Sequence, residues 1–399
     1  MSMAVTKREH GLGIWALTLG YFLSYIPYSG LSKGITSGLL TGGHLIPGAA
    51  LLPSAAVSTA ITIPLFITVM GWWRHGRKRR ALGLNVPFPR PQTFISGIGF
   101  TAIIITTTLA YSFSGVSIIL ALVLMRAGVL TMSPIIDSVF HRRVRWFSWA
   151  GLTLSLMALA ISFSDFRGYQ LSLAALLNLA AYLMGYALRI PSMTQVAKTR
   201  GREVAYEYFV EEQTVAMPVL VLVPAALALI GRGDVAYQLR FGFAHLFSSS
   251  FATFGWAIGF FYAALGVFLS FIYLDRRENT FCMPLFSCSS LLSGIVASYL
   301  LMWWAHGPAP NRVQIRAAFL IIAALLVMSP LHHLPLYIKQ LKDAVAEKRL
   351  RLVTLINMSA GSAPVVSQPL ATSLITINFN PVRDILRKRS QVSGQSGSG

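Results

Sequence analysis

Arg126 is the residue whose chemistry is hardest to explain by packing alone. It stands about halfway along residues 114–137 (SGVSIILALVLMRAGVLTMSPIID), a run long enough to cross a hydrocarbon core of ~30 Å as a helix. A guanidinium at that depth costs at least roughly 2.5–3.5 kcal/mol to insert and cannot snorkel to either interface, so it must face protein or water. The default reading is the counter-charge of an anion site inside a transporter. The alternative is a structural arginine held by backbone carbonyls and hydroxyls of neighbouring helices.

Other polar residues fall on helical faces that could join it. Asn178, Tyr182, Tyr186 and Arg189 recur at spacings of four, four and three, which places an amide, two phenols and a guanidinium on one stripe. Such a stripe is either a cavity wall or ordinary hydrogen-bonding between helices. Thr106, Thr107, Thr108 and Tyr111 form a hydroxyl-rich turn, of which Thr107 and Tyr111 are taken as substrate candidates, against simple back-bonding to the helix. Tyr21, Tyr25 and Tyr28 share a face near the start of the chain, with Tyr25 the candidate for substrate and Lys33 a charge near the outer end.

The carboxylates all fall at span ends or in loops in this reading, so none sits at the membrane centre. Asp137, Glu211 and Glu212, with Arg189 and Lys33, are the candidates for gating or coupling, against the blander reading of solvated helix-end charges. A proton-coupled exporter of cationic drugs needs a carboxylate within a span, and its absence favours exchange or facilitated diffusion of an anion.

Enzymatic chemistry finds little support. The eight histidines are scattered, only His332 and His333 are close, and no metal-ligand spacing or acidic partner accompanies them. Cys282 and Cys288 lie six apart in one predicted helix and point to different faces. The expectation is a protein that is not an enzyme, with no metal and no cofactor.

The elements that must position these residues are membrane helices. Hydrophobic residues make up 55% and charged residues 12%, and the apolar ones gather into blocks too long for soluble core helices. An alternating β-barrel pattern is missing. The expected fold is an all-α integral membrane protein with ten spans, at about 11–32, 51–73, 93–112, 114–136, 145–163, 171–190, 212–231, 252–274, 280–304 and 314–331. Short links at 112–114 and 164–170 predict antiparallel hairpins of neighbouring spans. Prolines 53, 64, 134, 191, 218, 224 and 284 kink or cap these helices, and residues 42–48 (GGHLIPG) predict a flexible or re-entrant connection.

With the N-terminus inside, seventeen Lys and Arg residues fall in the cytoplasmic segments before the tail and six on the opposite side. That asymmetry places both termini in the cytoplasm. The net charge of +20 is mostly this bias plus a basic tail, so nucleic acid is not an expected partner. Arg74, Arg77, Lys78, Arg79 and Arg80 form a cluster suited to anionic headgroups, next to the interfacial aromatics Trp72 and Trp73. The organisation expected is a cytoplasmic N-terminus at 1–10, five-helix repeats at 11–165 and 166–334, and a basic cytoplasmic tail at 335–399 ending in a linker-like Ser/Gly stretch.

Residues 107–145 (TTLAYSFSGVSIILALVLMRAGVLTMSPIIDSVFHRRVR), followed by 146–165 (WFSWAGLTLSLMALAISFSD), resemble the third to fifth spans of the drug/metabolite transporter superfamily, of EamA-like type. There a short polar hinge joins two spans, the fourth ends in a Pro-bearing segment, and a basic loop leads to the fifth. Residues 280–301, with Pro284, Leu285 and Phe286, resemble its ninth span, without the usual glutamate after it. The resemblance implies a five-plus-five inverted repeat in a bacterial inner membrane, working by alternating access around a central cavity beside Arg126. The function expected is transport of a small anionic or carboxylate-bearing organic solute. A flippase for an anionic lipid and an exporter of neutral or zwitterionic metabolites or drugs are the alternatives.

Overall fold

The computed structural model describes residues 13–81, 84–110, 118–163, 173–196, 202–245, 247, 250–307, 309 and 312–329. The chain divides into a unit of residues 16–329 and a second of 1–15 with 330–399, of which only residues 13–15 are described. Eleven α-helices are described: α1 (Ile14–Thr36), α2 (Gly48–Val69), α3 (Pro91–Leu109), α4 (Ile118–Val139), α5 (Trp146–Phe163), α6 (Leu173–Val196), α7 (Arg202–Ile230), α8 (Asp234–Ala244), α9 (Ser250–Tyr273), α10 (Asn279–Ala305) and α11 (Arg312–Met328). Six of them, α2, α3, α6, α7, α9 and α10, are long and apolar enough to cross a membrane. By that measure this is a membrane protein.

A helix stands at each of the ten stretches the hydropathy picked out. Three local features differ. Strands β1 (Lys78–Ala81) and β2 (Leu84–Pro87) pair antiparallel between α2 and α3, one small hairpin among the helices and their connecting loops. The short α8 fills what reads as a loop, because eleven mixed residues cannot raise a span-length hydropathy window. Most consequentially, α7 starts at Arg202, ten residues before the expected span, so Glu211 and Glu212 stand well inside the helix and not at its end.

The helices meet through small residues. On α9, Gly255 and Gly259 lie against Ser54, Ala55 and Ser58 of α2, so close that a Cβ on Gly259 would come within 2.3 Å of the Ala55 carbonyl. The approach brings the Thr59 hydroxyl to 2.9 Å from the Gly259 carbonyl and lets Ser58 donate to that of Trp256 at 2.7 Å. Gly99 of α3 and Gly185 of α6 form a similar seam, each Cβ position lying 2.6–2.7 Å from the other's carbonyl oxygen. Between helices that share an apolar solvent, close van der Waals contact and such hydrogen bonds supply the adhesion that burial supplies in water.

Packing does not follow sequence adjacency. The hinges at 112–114 and 164–170 lie outside the described residues; beyond them, α3 packs chiefly on α6 and α7, and α5 on α11 and α10. The most enclosed element is the first half of α10, where every residue of Asn279 to Ser290 is buried.

Candidate functional site: two buried arginines

Among the described residues two guanidinium groups are buried between the helices, and the chain treats them differently. Arg189 of α6 is fully enclosed and donates from Nε and Nη2 to the two carboxylate oxygens of Glu212 on α7, each at 2.9 Å. Its Nη2 also donates to Ser270 of α9 at 2.7 Å, and its plane lies 4.1 Å from the centre of the Phe100 ring. Glu212 takes a further hydrogen bond from Ser96 of α3 at 2.5 Å. This is a closed bidentate pair, the geometry in which a planar fork compensates a buried carboxylate.

Arg126 of α4 is also buried, with 7% of its surface exposed, yet no carboxylate pairs with it among the described residues. Its Nη2 donates to the Tyr25 hydroxyl of α1 at 3.1 Å, and the guanidinium stands 4.7 Å from the Phe286 ring of α10. Tyr21, Tyr182 and Tyr186 lie within its electrostatic reach. Their rings interlock: Tyr21 meets Tyr25 at 5.6 Å and Phe286 at 5.8 Å, and Tyr182 meets Tyr186 at 5.0 Å. Tyr186 continues to Tyr273 of α9 at 6.2 Å, which links this nest to the Arg189 pair, 5.9 Å from the same Tyr273 ring. The nest is therefore a positive centre walled by neutral phenols and aromatic faces. It can accept an anion through the guanidinium and through phenol O–H donors, and its rings present apolar edges to whatever carries that anion.

The predicted stripe on α6 divides along its length. Tyr182 and Tyr186 reach the Arg126 nest, Asn178 instead donates to the Thr106 carbonyl of α3 at 3.0 Å, and Arg189 closes on Glu212. Asn178 thus joins two helices and is not among the groups around Arg126. Thr107 bonds back to the Ile103 carbonyl at 2.6 Å and borders the nest beside Tyr262. Tyr111 lies outside the described residues. Lys33 donates to Ser298 of α10 at 3.1 Å.

The reading of Asp137, Glu211 and Glu212 as solvated helix-end charges is corrected: all three are buried, at 0–3% exposure. Glu211 and Glu212 lie within α7, and Asp137 at the end of α4 is covered by the start of α10. Asp137 accepts from the backbone N–H and side-chain amide of Asn279 and from the N–H and hydroxyl of Thr280, at 2.7–3.0 Å. Negative charge there meets the exposed donors and positive end of the α10 dipole. Next to it Glu278 is bound by Arg145 at 2.8 Å and Ser148 at 2.6 Å. Burial alone would raise the Glu278 carboxyl, but these hydrogen bonds outweigh it and hold the group below its usual range.

Residues that the sequence did not mark as site candidates complete these arrangements: Tyr262 and Tyr273, eleven apart and so on one face of α9, Phe286, and the α3 hydroxyls Thr93 and Ser96. Spacing could have raised the first pair, and the fourfold intervals of Glu207, Glu211 and Tyr208, Glu212 mark two faces of α7. Cys282 and Cys288 are free thiols, both buried. A cavity of about 350 Å³ lies elsewhere, between α2 and α7, lined by residues including Pro64, Trp73, Gln213 and Met217.

No family model matches the chain, and no curated protein does. Among solved structures, one described only as "Crystal structure of protein" is similar at 14% identity and a TM-score of 0.48, over 79% of this chain and 97% of its own. At that level the likeness carries no functional information.

Proposed function

We propose that the chain is a secondary transporter of a small anionic or carboxylate-bearing organic solute, with Arg126 as the substrate's counter-charge. The contrast between the two arginines carries this reading. The same protein that supplies Arg189 with a bidentate carboxylate leaves Arg126 with a phenol and an aromatic face, although an unpaired buried charge costs several kcal/mol. An anion arriving from solution is the component that such a site lacks. Tyr25, Tyr182 and Tyr186 form its wall.

The proposed architecture is a ten-span carrier of EamA-like type, with α1–α5 repeated in the same order but opposite membrane orientation as α6, α7, α9, α10 and α11, and both termini in the cytoplasm of a bacterial cell. Supporting it, matched members of the two halves pack on each other, α2 on α7, α4 on α10 and α5 on α11. One cross-pairing is reciprocal as well, since α2 packs on α9 as α7 packs on α3. A two-fold relation between halves produces such a pattern, and carriers built this way bind substrate at the repeat interface. Arg126 lies on α4, which packs against its own counterpart α10.

The test is counterflow in proteoliposomes with a panel of labelled mono- and dicarboxylates. Arg126→Ala is expected to abolish exchange at normal expression, and Arg126→Lys to retain a part, because a fork becomes a point charge. Exchange at the wild-type rate by Arg126→Ala, or none by the wild type with any anion of the panel, overturns the reading.

A further inference from the structure

Where α7 crosses the start of α3, three carboxylates meet two arginines. The Arg90 guanidinium is taken by Glu207 and that of Arg189 by Glu212. Glu211, 3% exposed, is left with neutral donors only. Its Oε2 accepts the Arg90 backbone N–H at 3.1 Å and faces the Thr93 hydroxyl at 2.8 Å, while its Oε1 is buried with no hydrogen-bond partner. The Thr93 hydroxyl also lies 2.8 Å from the Arg90 carbonyl, and its single proton can serve either oxygen.

We propose that Glu211 is a proton-binding site, and Thr93 the relay that lets it exist in both protonation states. When Glu211 is ionised, Thr93 donates to Oε2. When Glu211 is protonated, the carboxyl donates to the Thr93 oxygen, and Thr93 turns its own proton to the Arg90 carbonyl. Each state places every polar hydrogen of the group, which a buried carboxylate fixed by a guanidinium does not allow. The charged and titratable groups around it are Arg90 and Glu207, bound to each other, the Arg189–Glu212 pair one residue along α7, and Tyr208 on the same turn. Protonation removes one of the carboxylate charges by which α7 holds the start of α3, Glu207 on Arg90 and Glu212 on Ser96 being the others.

This assignment does not depend on what Arg126 binds. Infrared difference spectra of the full chain in lipid nanodiscs, recorded through a pH titration, test it without any substrate. A protonated-carboxyl C=O band is expected to grow as pH falls, and to be missing from Glu211→Gln, whose amide keeps an acceptor for Arg90 and Thr93. Thr93→Val should move its midpoint upward by about one pH unit, because the bond lost from the charged form is the stronger of the two. The same band in Glu211→Gln, or a midpoint unmoved in Thr93→Val, overturns the proposal. Should Glu211→Gln not fold, Thr93→Val decides alone.

Discussion

Replacing each buried arginine by methionine should have opposite consequences for stability. Methionine approximates the length of the arginine stem without its charge, so the substitution removes one guanidinium and little volume. At Arg189 it strands Glu212, a carboxylate with no exposed surface, and breaking one side of such a pair costs about 3–5 kcal/mol. At Arg126 nothing of opposite charge is stranded. The interactions lost are one hydrogen bond from a charged donor, worth about 1.5–3 kcal/mol, and one desolvated ring contact of about 2 kcal/mol. Against them stands a desolvation penalty of several kcal/mol that methionine does not incur. The balance for Arg126→Met therefore lies between no change and a gain of about 2 kcal/mol. Reversible unfolding of the purified protein in mixed micelles, titrated with a denaturing detergent and followed by circular dichroism, reads both numbers. A bound anion adds a third arm, since ligand at about a hundred times its Kd stabilises by roughly 2.7 kcal/mol. Wild type should show that gain and Arg126→Met should not. A loss at Arg126→Met equal to that at Arg189→Met would refute the reasoning, because it would mean that the protein itself neutralises Arg126.

At the α5–α10 contact, Glu278 is held ionised in the fold, so its contribution to stability is complete above the unfolded carboxyl value of about 4.3 and is lost as pH falls through its lower folded value. The unfolding midpoint should drop across that acid window in wild type and less steeply in Glu278→Gln, whereas equal slopes would count against the assignment. On the α2–α9 seam, Gly259→Ala should cost about 1–3 kcal/mol, because its new Cβ meets backbone on α2. The same change at Gly294, where the nearest atom would be 3.9 Å away, should be neutral or mildly stabilising, and similar outcomes at both sites would mean the seam is looser than described.

The hydropathy of the chain was enough to locate its apolar helices, and the period of a helix put Tyr21 with Tyr25 and Tyr182 with Tyr186 on shared faces. A shared face did not mean a shared partner. Asn178, Tyr182 and Arg189 fall on one stripe of α6, but some 16 Å of helix separates the ends of such an eleven-residue span, and successive turns meet α3, the Arg126 nest and α7. Glu211 and Glu212 were misplaced for a related reason. The segment REVAYEYFVEEQ is helix-forming but carries too many charges for a hydropathy window, so the span was drawn from its apolar end and the buried network fell outside it. The Arg189–Glu212 pairing was not legible at all, because nothing local in either helix specifies the other.

The enclosure of α10 bears on how freely its sequence can drift. A helix with one face in lipid tolerates change with a period of 3.6 residues, and its permissive positions trace that face. Asn279 to Ser290 has no such face, being buried at every position. Mutational tolerance along these twelve residues should consequently be low and without periodicity, with serine, cysteine and proline as constrained as leucine and phenylalanine. Selection on this segment registers the protein packed around it on all sides, and the bilayer leaves no imprint there.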